Sequence, residues 1–326
     1  MTAAGVPKIS VLLSVYDGAQ YLRESVDSVL SQDFLDFEFL IVDDGSPDAS
    51  REILRGYADP RIVLLENGRN QGLFFNLNAL LGRARAPLVK LWSQDDVMLP
   101  DCLRKGFEFH VSRPEIGCFY TGAAVIGQAG ETAAAAPPDG SPLIFSPAEA
   151  DRYALLHGCL SANISDLFFL REVFAAVGPF REDWIAADFE MMVRTQARYP
   201  VGRIPEALVR VRRHPGQWSL SENAALASFR EEMEIYRILK ERVVRIHRSM
   251  TETEADRVLE RKFAANYFHA AVRCALRGRV RYAAKILHLL AGWKPLPVFA
   301  GLWLAGLPDR LRRLFLSARK TDKINP

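Results

Sequence analysis

Several short groups of residues in this chain are of types that act on a charged ligand. Asp43-Asp44-Gly45-Ser46 closes an apolar run. Carboxylates held at a glycine turn can accept hydrogen bonds from a nucleobase or a ribose, although the same residues also serve as plain turns and helix caps. Asp95-Asp96 closes a second apolar run. Adjacent carboxylates suit hard cations such as Mg²⁺ or Mn²⁺, and such a cation neutralises charge on a departing diphosphate. The simpler alternative is a solvated cap before a helix starting at Leu99-Pro100. Asp188, in Ile185-Ala-Ala-Asp-Phe-Glu, opens an amphipathic stretch. A carboxylate there can take a proton from an acceptor hydroxyl. The helix dipole alone would also favour an acid at that position, and Glu190 competes for the role. His214 lies in the basic, glycine-containing stretch Arg210-Val-Arg-Arg-His-Pro-Gly-Gln-Trp-Ser. Such a loop can grip a diphosphate while its imidazole ligates a metal; a solvated charge run is the competing reading.

The elements that must position these residues follow from hydrophobic patterning. Ile9 to Val15, Phe37 to Val42, Arg61 to Leu65 and Pro87 to Trp92 read as short buried strands. Between them, Tyr21 to Leu30, Ser46 to Tyr57 and Leu73 to Leu81 carry helical spacing. Strand and helix alternate, which predicts a parallel α/β sheet over the first part of the chain. In such sheets ligands gather at the carboxyl ends of the strands, where both acidic pairs fall. Beyond Gly117 the reading is a strand over Cys118 to Ile126, a loop over Gly127 to Pro142, a strand and helix over Leu167 to Val177, and a helix over Asp188 to Tyr199. From Glu222 onward, Phe229, Met233, Tyr236, Leu239, Val243 and Ile246 recur at helical spacing. The sequence therefore divides into 1–221 and a helical 222–326.

The order and spacing of the pieces say more than any one of them. Ile9-Ser-Val-Leu-Leu-Ser-Val-Tyr, Leu40-Ile-Val-Asp-Asp-Gly-Ser, Asn70-Gln-Gly-Leu with Asn78, Gln94-Asp-Asp, Val177-Gly-Pro-Phe, Asp188 followed by Arg194, and Arg212-Arg-His occur in that order. Over roughly residues 8 to 219 the chain resembles the family 2 glycosyltransferases. The resemblance implies a GT-A fold: a Rossmann-like mixed central sheet flanked by helices, here with a C-terminal helical extension. It implies inverting transfer from a nucleotide-sugar donor, with UDP the commonest nucleotide, to a glycan or lipid-linked acceptor in cell-surface polysaccharide biosynthesis. It implies that Ser14, Tyr16, Asp44, Asn78, Asp95 and Arg212 bind the donor. Asp96 and His214 would hold a divalent cation, Mn²⁺ or Mg²⁺, and Asp188 would be the general base. No second carboxylate nucleophile is then required, unlike in a retaining glycosidase. The chain departs from the family pattern at Asp17, where many relatives have Asn, at Ser93, where many carry a further Asp, and at Ala187, where an acid commonly precedes the base.

Composition narrows the alternatives. The chain has 326 residues, 49% hydrophobic and 25% charged, with a formal net charge of +3. That is the balance of a globular protein with an ample core. Cys102, Cys118, Cys159 and Cys274 form no CxxC pair, which fits reduced thiols in a cytoplasmic protein. The N-terminus has no signal-peptide pattern. A dehydrogenase would need a Gly-rich turn after the first strand, where this chain has Tyr16-Asp-Gly-Ala-Gln. A nucleotidyltransferase, which would release pyrophosphate, and a non-catalytic nucleotide- or glycan-binding module are the remaining rivals. The tail is basic, and Trp293, Leu296, Phe299, Leu302, Trp303 and Leu307 lie beside Arg310-Leu-Arg-Arg. That combination suits a peripheral contact with an anionic membrane at the inner face of the cell membrane; simple packing is one alternative, and a span over Leu287 to Leu307, broken by Lys294, Pro295 and Pro297, is the weaker one. Charge paired with bulky apolar residues points away from nucleic acid.

Overall fold

A computed structural model describes residues 5–135, 143–161, 163–217 and 222–306. In chain order the elements are β1 (Ile9–Val15), α1 (Ala19–Leu30), β2 (Phe37–Asp43), α2 (Ser50–Arg55), β3 (Ile62–Glu66), α3 (Leu73–Leu81), β4 (Leu88–Trp92), β5 (Val97–Met98), α4 (Cys102–Ser112), β6 (Cys118–Ile126), β7 (Thr132–Ala135), β8 (Ile144–Phe145), α5 (Pro147–His157), β9 (Leu167–Leu170), α6 (Arg171–Val177), α7 (Ala187–Gln196) and β10 (Val201–Arg212). Then come α8 (Glu222–Glu241), α9 (Glu252–Phe263), α10 (His269–Leu276), α11 (Val280–Ala291) and α12 (Leu296–Gly306). The chain divides into two compact units, Met1–Glu231 and Glu232–Pro326. The division falls inside α8, whereas the sequence boundary at 221 lies at its start.

In the first unit one sheet runs β3-β2-β1-β4-β9-β6-β10-β5. The strands β3, β2, β1 and β4 are parallel; β2, β1 and β4 are predominantly apolar and covered on both faces, while β3 is a partly exposed edge. β9 inserts antiparallel between β4 and β6, and β5 pairs antiparallel with β10, so the sheet is mixed. Leu12, Leu40, Leu88, Phe119, Phe168 and Phe169 form part of a single buried core beneath it. Two features depart from the sequence reading. The long strand β10 shows no clean alternation, because register shifts between Ile204 and Val209 interrupt its pairing with β6 around Pro205. Within the stretch read as a loop after Gly127, Thr132–Ala135 forms a strand on β6, and residues 136–142 lie outside the described residues.

Among its described residues the second unit consists of helices joined by short turns, with no strand. Its aromatic residues pack on one another. Phe299 is fully buried, Trp293 meets Phe263 edge-on at 5.1 Å between centroids, and Trp303 lies 5.9 Å from Phe268. Internal packing thus accounts for Trp293, Phe299 and Trp303 from the segment with a membrane-like composition. Leu307 and Arg310-Leu-Arg-Arg lie outside the described residues. Among the described residues no helix is long and apolar enough to cross a membrane.

Candidate active site

The carboxyl ends of β1, β2 and β4 bring the acidic pairs to one edge of the sheet, as the parallel order predicts. Asp44 follows β2, and its N–H donates to the Val15 carbonyl at 2.7 Å. Its carboxylate is 1% exposed. Oδ1 accepts from Asn67 Nδ2 (2.8 Å) and the Gln71 N–H (2.9 Å), and Oδ2 accepts from the Gly72 N–H (2.9 Å). Asp44 therefore fastens the loop that enters α3. The same loop passes so close to Gly45 (φ +71°) that a Cβ there would meet the Arg69 backbone at 2.7 Å, which only glycine tolerates. Asn67 Nδ2 also donates to Asn76 Oδ1, and Asn76 Nδ2 donates to Ser14 Oγ at 3.0 Å. Asp44 and Ser14 are thus joined through Asn67 and Asn76, neither of which was singled out from sequence. Asn78 faces elsewhere: it donates to the Phe180 carbonyl and Glu182 and accepts from the Phe180 N–H, clamping the segment after α6. Tyr16 is 44% exposed, and its backbone exchanges two 2.9 Å bonds with the Gln94 side chain. Asp43 is structural, gripped by Arg51 through Nη2 at 2.8 Å and Nε at 3.0 Å. We expect Asp44→Ala to remove the shared acceptor of three part-buried donors and cost about 2 kcal/mol in a urea denaturation series, with weaker nucleotide binding. Unchanged stability would show that the loop does not depend on this carboxylate.

The second acidic pair faces two ways. Asp96 is 1% exposed. Its Oδ1 accepts from the Arg212 N–H (2.9 Å) and its Oδ2 from Ser165 Oγ (2.5 Å). Burial, then the charge of Asp95, pushes the Asp96 carboxyl up to about 7. Ser165 also accepts from the Ser93 N–H through Oγ, and its carbonyl accepts from the buried ammonium of Lys90, which burial holds below the usual lysine range. Asp95 turns the other way. Its Oδ2 lies 3.1 Å from His214 Nε2 and 3.3 Å from Gln217 Nε2. The Asp95 and His214 side chains keep 18% and 15% exposure, and the His214 ring packs 4.8 Å from that of Tyr21. Arg212, 2% exposed, has its guanidinium occupied. It donates to the Asp95 carbonyl (2.9 Å), to the Gly127 and Gln128 carbonyls (both 3.2 Å) and to Glu24 (2.7 Å). Its neighbour Arg213 is exposed at the same strand end.

These positions bear on whether a cation fits. Among the described residues no group of three or more His, Cys, Asp or Glu side chains converges as a full ligand set. A carboxylate and an imidazole do meet at Asp95 and His214, whereas both oxygens of Asp96 point into protein donors. Mg²⁺ and Mn²⁺ sites built from one or two protein groups are completed by phosphate oxygens of a bound substrate, so the Asp95–His214 edge fits a cation carried with a diphosphate.

Asp188 occupies the first turn of α7. It is partly accessible, and Oδ1 accepts from the Phe189 N–H at 2.8 Å. Burial raises its carboxyl above the usual range, and the Glu231 carboxylate adds to the shift. Glu231 itself accepts from the Ile185 and Ala186 N–H groups (2.8 Å each) and so holds the entry to α7. Glu190 is engaged: Arg194 Nε contacts both its oxygens at 2.8 and 2.9 Å. The nearby Cys159 thiol is pushed up to about 12, first by burial and then by the Asp188 charge. From sequence Ser165 was not singled out and Cys159 was read only as a reduced thiol, because a lone Ser or Cys carries no spacing signal.

Comparisons with known proteins bear on the family and the fold. Residues 10–136 match the family model described as Glycosyl transferase family 2. The chain is 34% identical over 126 residues to the putative teichuronic acid biosynthesis glycosyltransferase TuaG of Bacillus subtilis (strain 168), covering 38% of this chain and 50% of that one. The chain spans half or less of the length of the curated relatives it matches. Among solved structures, S. aureus TarS 1-349 in complex with UDP-GlcNAc aligns with a TM-score of 0.61 at 18% identity, covering 97% of this chain and 88% of that one. The mannosyltransferase PcManGT from Pyrobaculum calidifontis, in complex with GDP-Man and Mn²⁺, aligns with a TM-score of 0.56 at 17% identity, covering 89% and 87%.

Proposed function

We propose that this chain, whose first domain belongs to glycosyl transferase family 2 and has the GT-A fold, is a metal-dependent inverting glycosyltransferase using a nucleoside-diphosphate sugar. The observation that carries the reading is the pairing of an outward carboxylate and imidazole, Asp95 and His214, at the same sheet edge as the Asp44–Ser14 cluster. The nucleoside lies along Ser14, Tyr16 and the loop fastened by Asp44. Asp95 and His214 hold Mn²⁺ or Mg²⁺ with the diphosphate, and this cation supplies charge neutralisation for the leaving group. Asp96 and Arg212 position that edge from behind: one fixes the Arg212 backbone and the other the Asp95 carbonyl. Asp188 takes the proton of the acceptor hydroxyl as its oxygen bonds to the anomeric carbon. The bond from that carbon to the diphosphate breaks, and the nucleoside diphosphate departs with inversion.

We take the donor nucleotide to be UDP and the acceptor to be a glycan or lipid-linked glycan of cell-surface polysaccharide biosynthesis. The UDP-GlcNAc bound by the structural neighbour and the teichuronic acid role in the relative's name support this. With such an acceptor, the basic C-terminal region places the protein peripherally on an anionic membrane. The test is calorimetric titration of UDP, GDP and dTDP into the full chain with Mn²⁺ and again with a chelator. One nucleotide should bind with Mn²⁺ and lose at least about tenfold in affinity with chelator. Binding of none of them by the folded protein would reject the reading.

A further inference from the structure

We propose that the tip of the α10–α11 hairpin is the surface by which this protein seats on an anionic lipid bilayer. The inference rests on the membrane-surface reading of the C-terminal region and assigns it to residues other than those its composition first suggested. Phe299 is buried in the helical unit, and Trp293 and Trp303 are half-buried with their rings against Phe263 and Phe268, so these aromatics offer less to lipid than their composition suggests. The tip does the opposite. Leu276, the last residue of α10, is 76% exposed, and Val280, the first of α11, is 63% exposed. The turn between them is tight. The Gly278 N–H donates to the Ala275 carbonyl and the Arg279 N–H to the Cys274 carbonyl, with Gly278 at φ +78°. Two large exposed aliphatic side chains thereby flank one tight turn.

The charge around them is of one sign. Arg273, Arg277, Arg279, Arg281 and Lys285 are all exposed, and no Asp or Glu occurs in the sequence between Glu260 and Asp309. The Arg279 guanidinium lies 5.2 Å over the Tyr282 ring, adding an aromatic beside the tip. Beyond the turn the helices are ordinary packed elements, with Ala271, Ala283, Ile286 and Leu290 buried. A protruding aliphatic pair ringed by arginines complements a bilayer whose headgroups are negative and whose acyl region lies just below them. A nucleic acid would match the charge but leave the aliphatic pair in water.

The test uses the full chain in co-sedimentation with phosphatidylcholine vesicles, with and without phosphatidylserine, at physiological ionic strength. The parent should sediment with the anionic vesicles and little with the neutral ones. Arg277→Glu/Arg279→Glu should weaken partitioning by about fivefold per cation, so about twenty-five-fold or more together. Leu276→Asp/Val280→Asp should abolish it. Both pairs are exposed, so thermal unfolding should match the parent. If the parent binds and both tip variants bind equally well, the tip is wrong while the membrane reading stands. Loss only on Arg312→Glu/Arg313→Glu, beyond the described residues, would overturn the tip in favour of the tail. A parent that ignores anionic vesicles would overturn both. UDP titration of the same variants reads the transferase assignment separately.

Discussion

Asp188→Asn is expected to reduce sugar transfer by about 10²–10⁴-fold while leaving UDP affinity in Mn²⁺ within experimental error of the parent. The amide keeps the shape and can still accept from the Phe189 N–H, but it cannot take the acceptor's proton. Glu190→Gln should do far less to the proton transfer, because Glu190 is already committed to Arg194. If Glu190→Gln abolished transfer and Asp188→Asn retained it, the base would be Glu190. The raised carboxyl of Asp188 adds a pH signature. The base acts when ionised, so kcat/KM should rise with pH through the raised value, above where an ordinary carboxylate titrates. Glu231→Gln removes a negative neighbour and should move that acid limb to lower pH. Stability follows the opposite direction. A carboxyl raised by folding favours the protonated state in the native protein, so its contribution is lost as pH climbs from the ordinary value through the raised one. Asp188→Asn should therefore match the parent in Tm below the ordinary carboxylate range and exceed it at neutral pH. A parent more stable than the variant at neutral pH would show that burial does not dominate at this carboxylate.

The parallel half of the sheet was legible because its strands are short, predominantly apolar runs. Ile9–Val15 and Phe37–Asp43 each have burial on both faces, and no other element fits so short a run bounded by turn residues. β10 was not legible. Its polar residues and Pro205 break the alternation, and it is held as a strand by its long pairing with β6 and by shorter pairings with β5 and β8. The same limit governs the site. Sequence placed Asp44, Asp95, Asp96 and Asp188 at element ends and His214 in a basic loop, since acids and turns are visible there. It could not say which way each side chain points. Asn76 and Asn78 lie two residues apart on α3, yet one bonds Ser14 and the other clamps Phe180. Arg212 ends β10 and Arg213 follows it, yet Arg212 is buried behind the site and its neighbour is exposed. Facing is a period-two or helical-phase property, and a one-residue ambiguity in register reverses it.

That ambiguity is sharpest in Asp95-Asp96, and it sets the other large expected effect. Either carboxylate suits a divalent cation by chemistry, and the resemblance implied Asp96. The geometry favours Asp95. Asp96 has both oxygens satisfied by Arg212 and Ser165 at 1% exposure, so binding a cation would require breaking a buried network. Asp95 already faces His214 at 3.1 Å with solvent access. We therefore expect Asp95→Asn to raise the UDP Kd in Mn²⁺ at least tenfold, towards the chelator value. Even outer-shell losses around metals cost about 10–100-fold in affinity, and a direct ligand should cost no less. His214→Ala should act in the same direction. Asp96→Asn can keep both bonds, its Oδ1 accepting from the Arg212 N–H and its amide donating to Ser165 Oγ, so its loss should stay below about tenfold. The double variant Asp95→Asn/His214→Ala separates ligation from mere positioning. Two ligands of one cation should lose less together than the sum of their separate losses, since either removal already disables the site. If Asp96→Asn erased the Mn²⁺ dependence while Asp95→Asn kept it, the cation would be held from the buried side. The Arg212–Asp96–Ser165 network would then have to open when the donor binds.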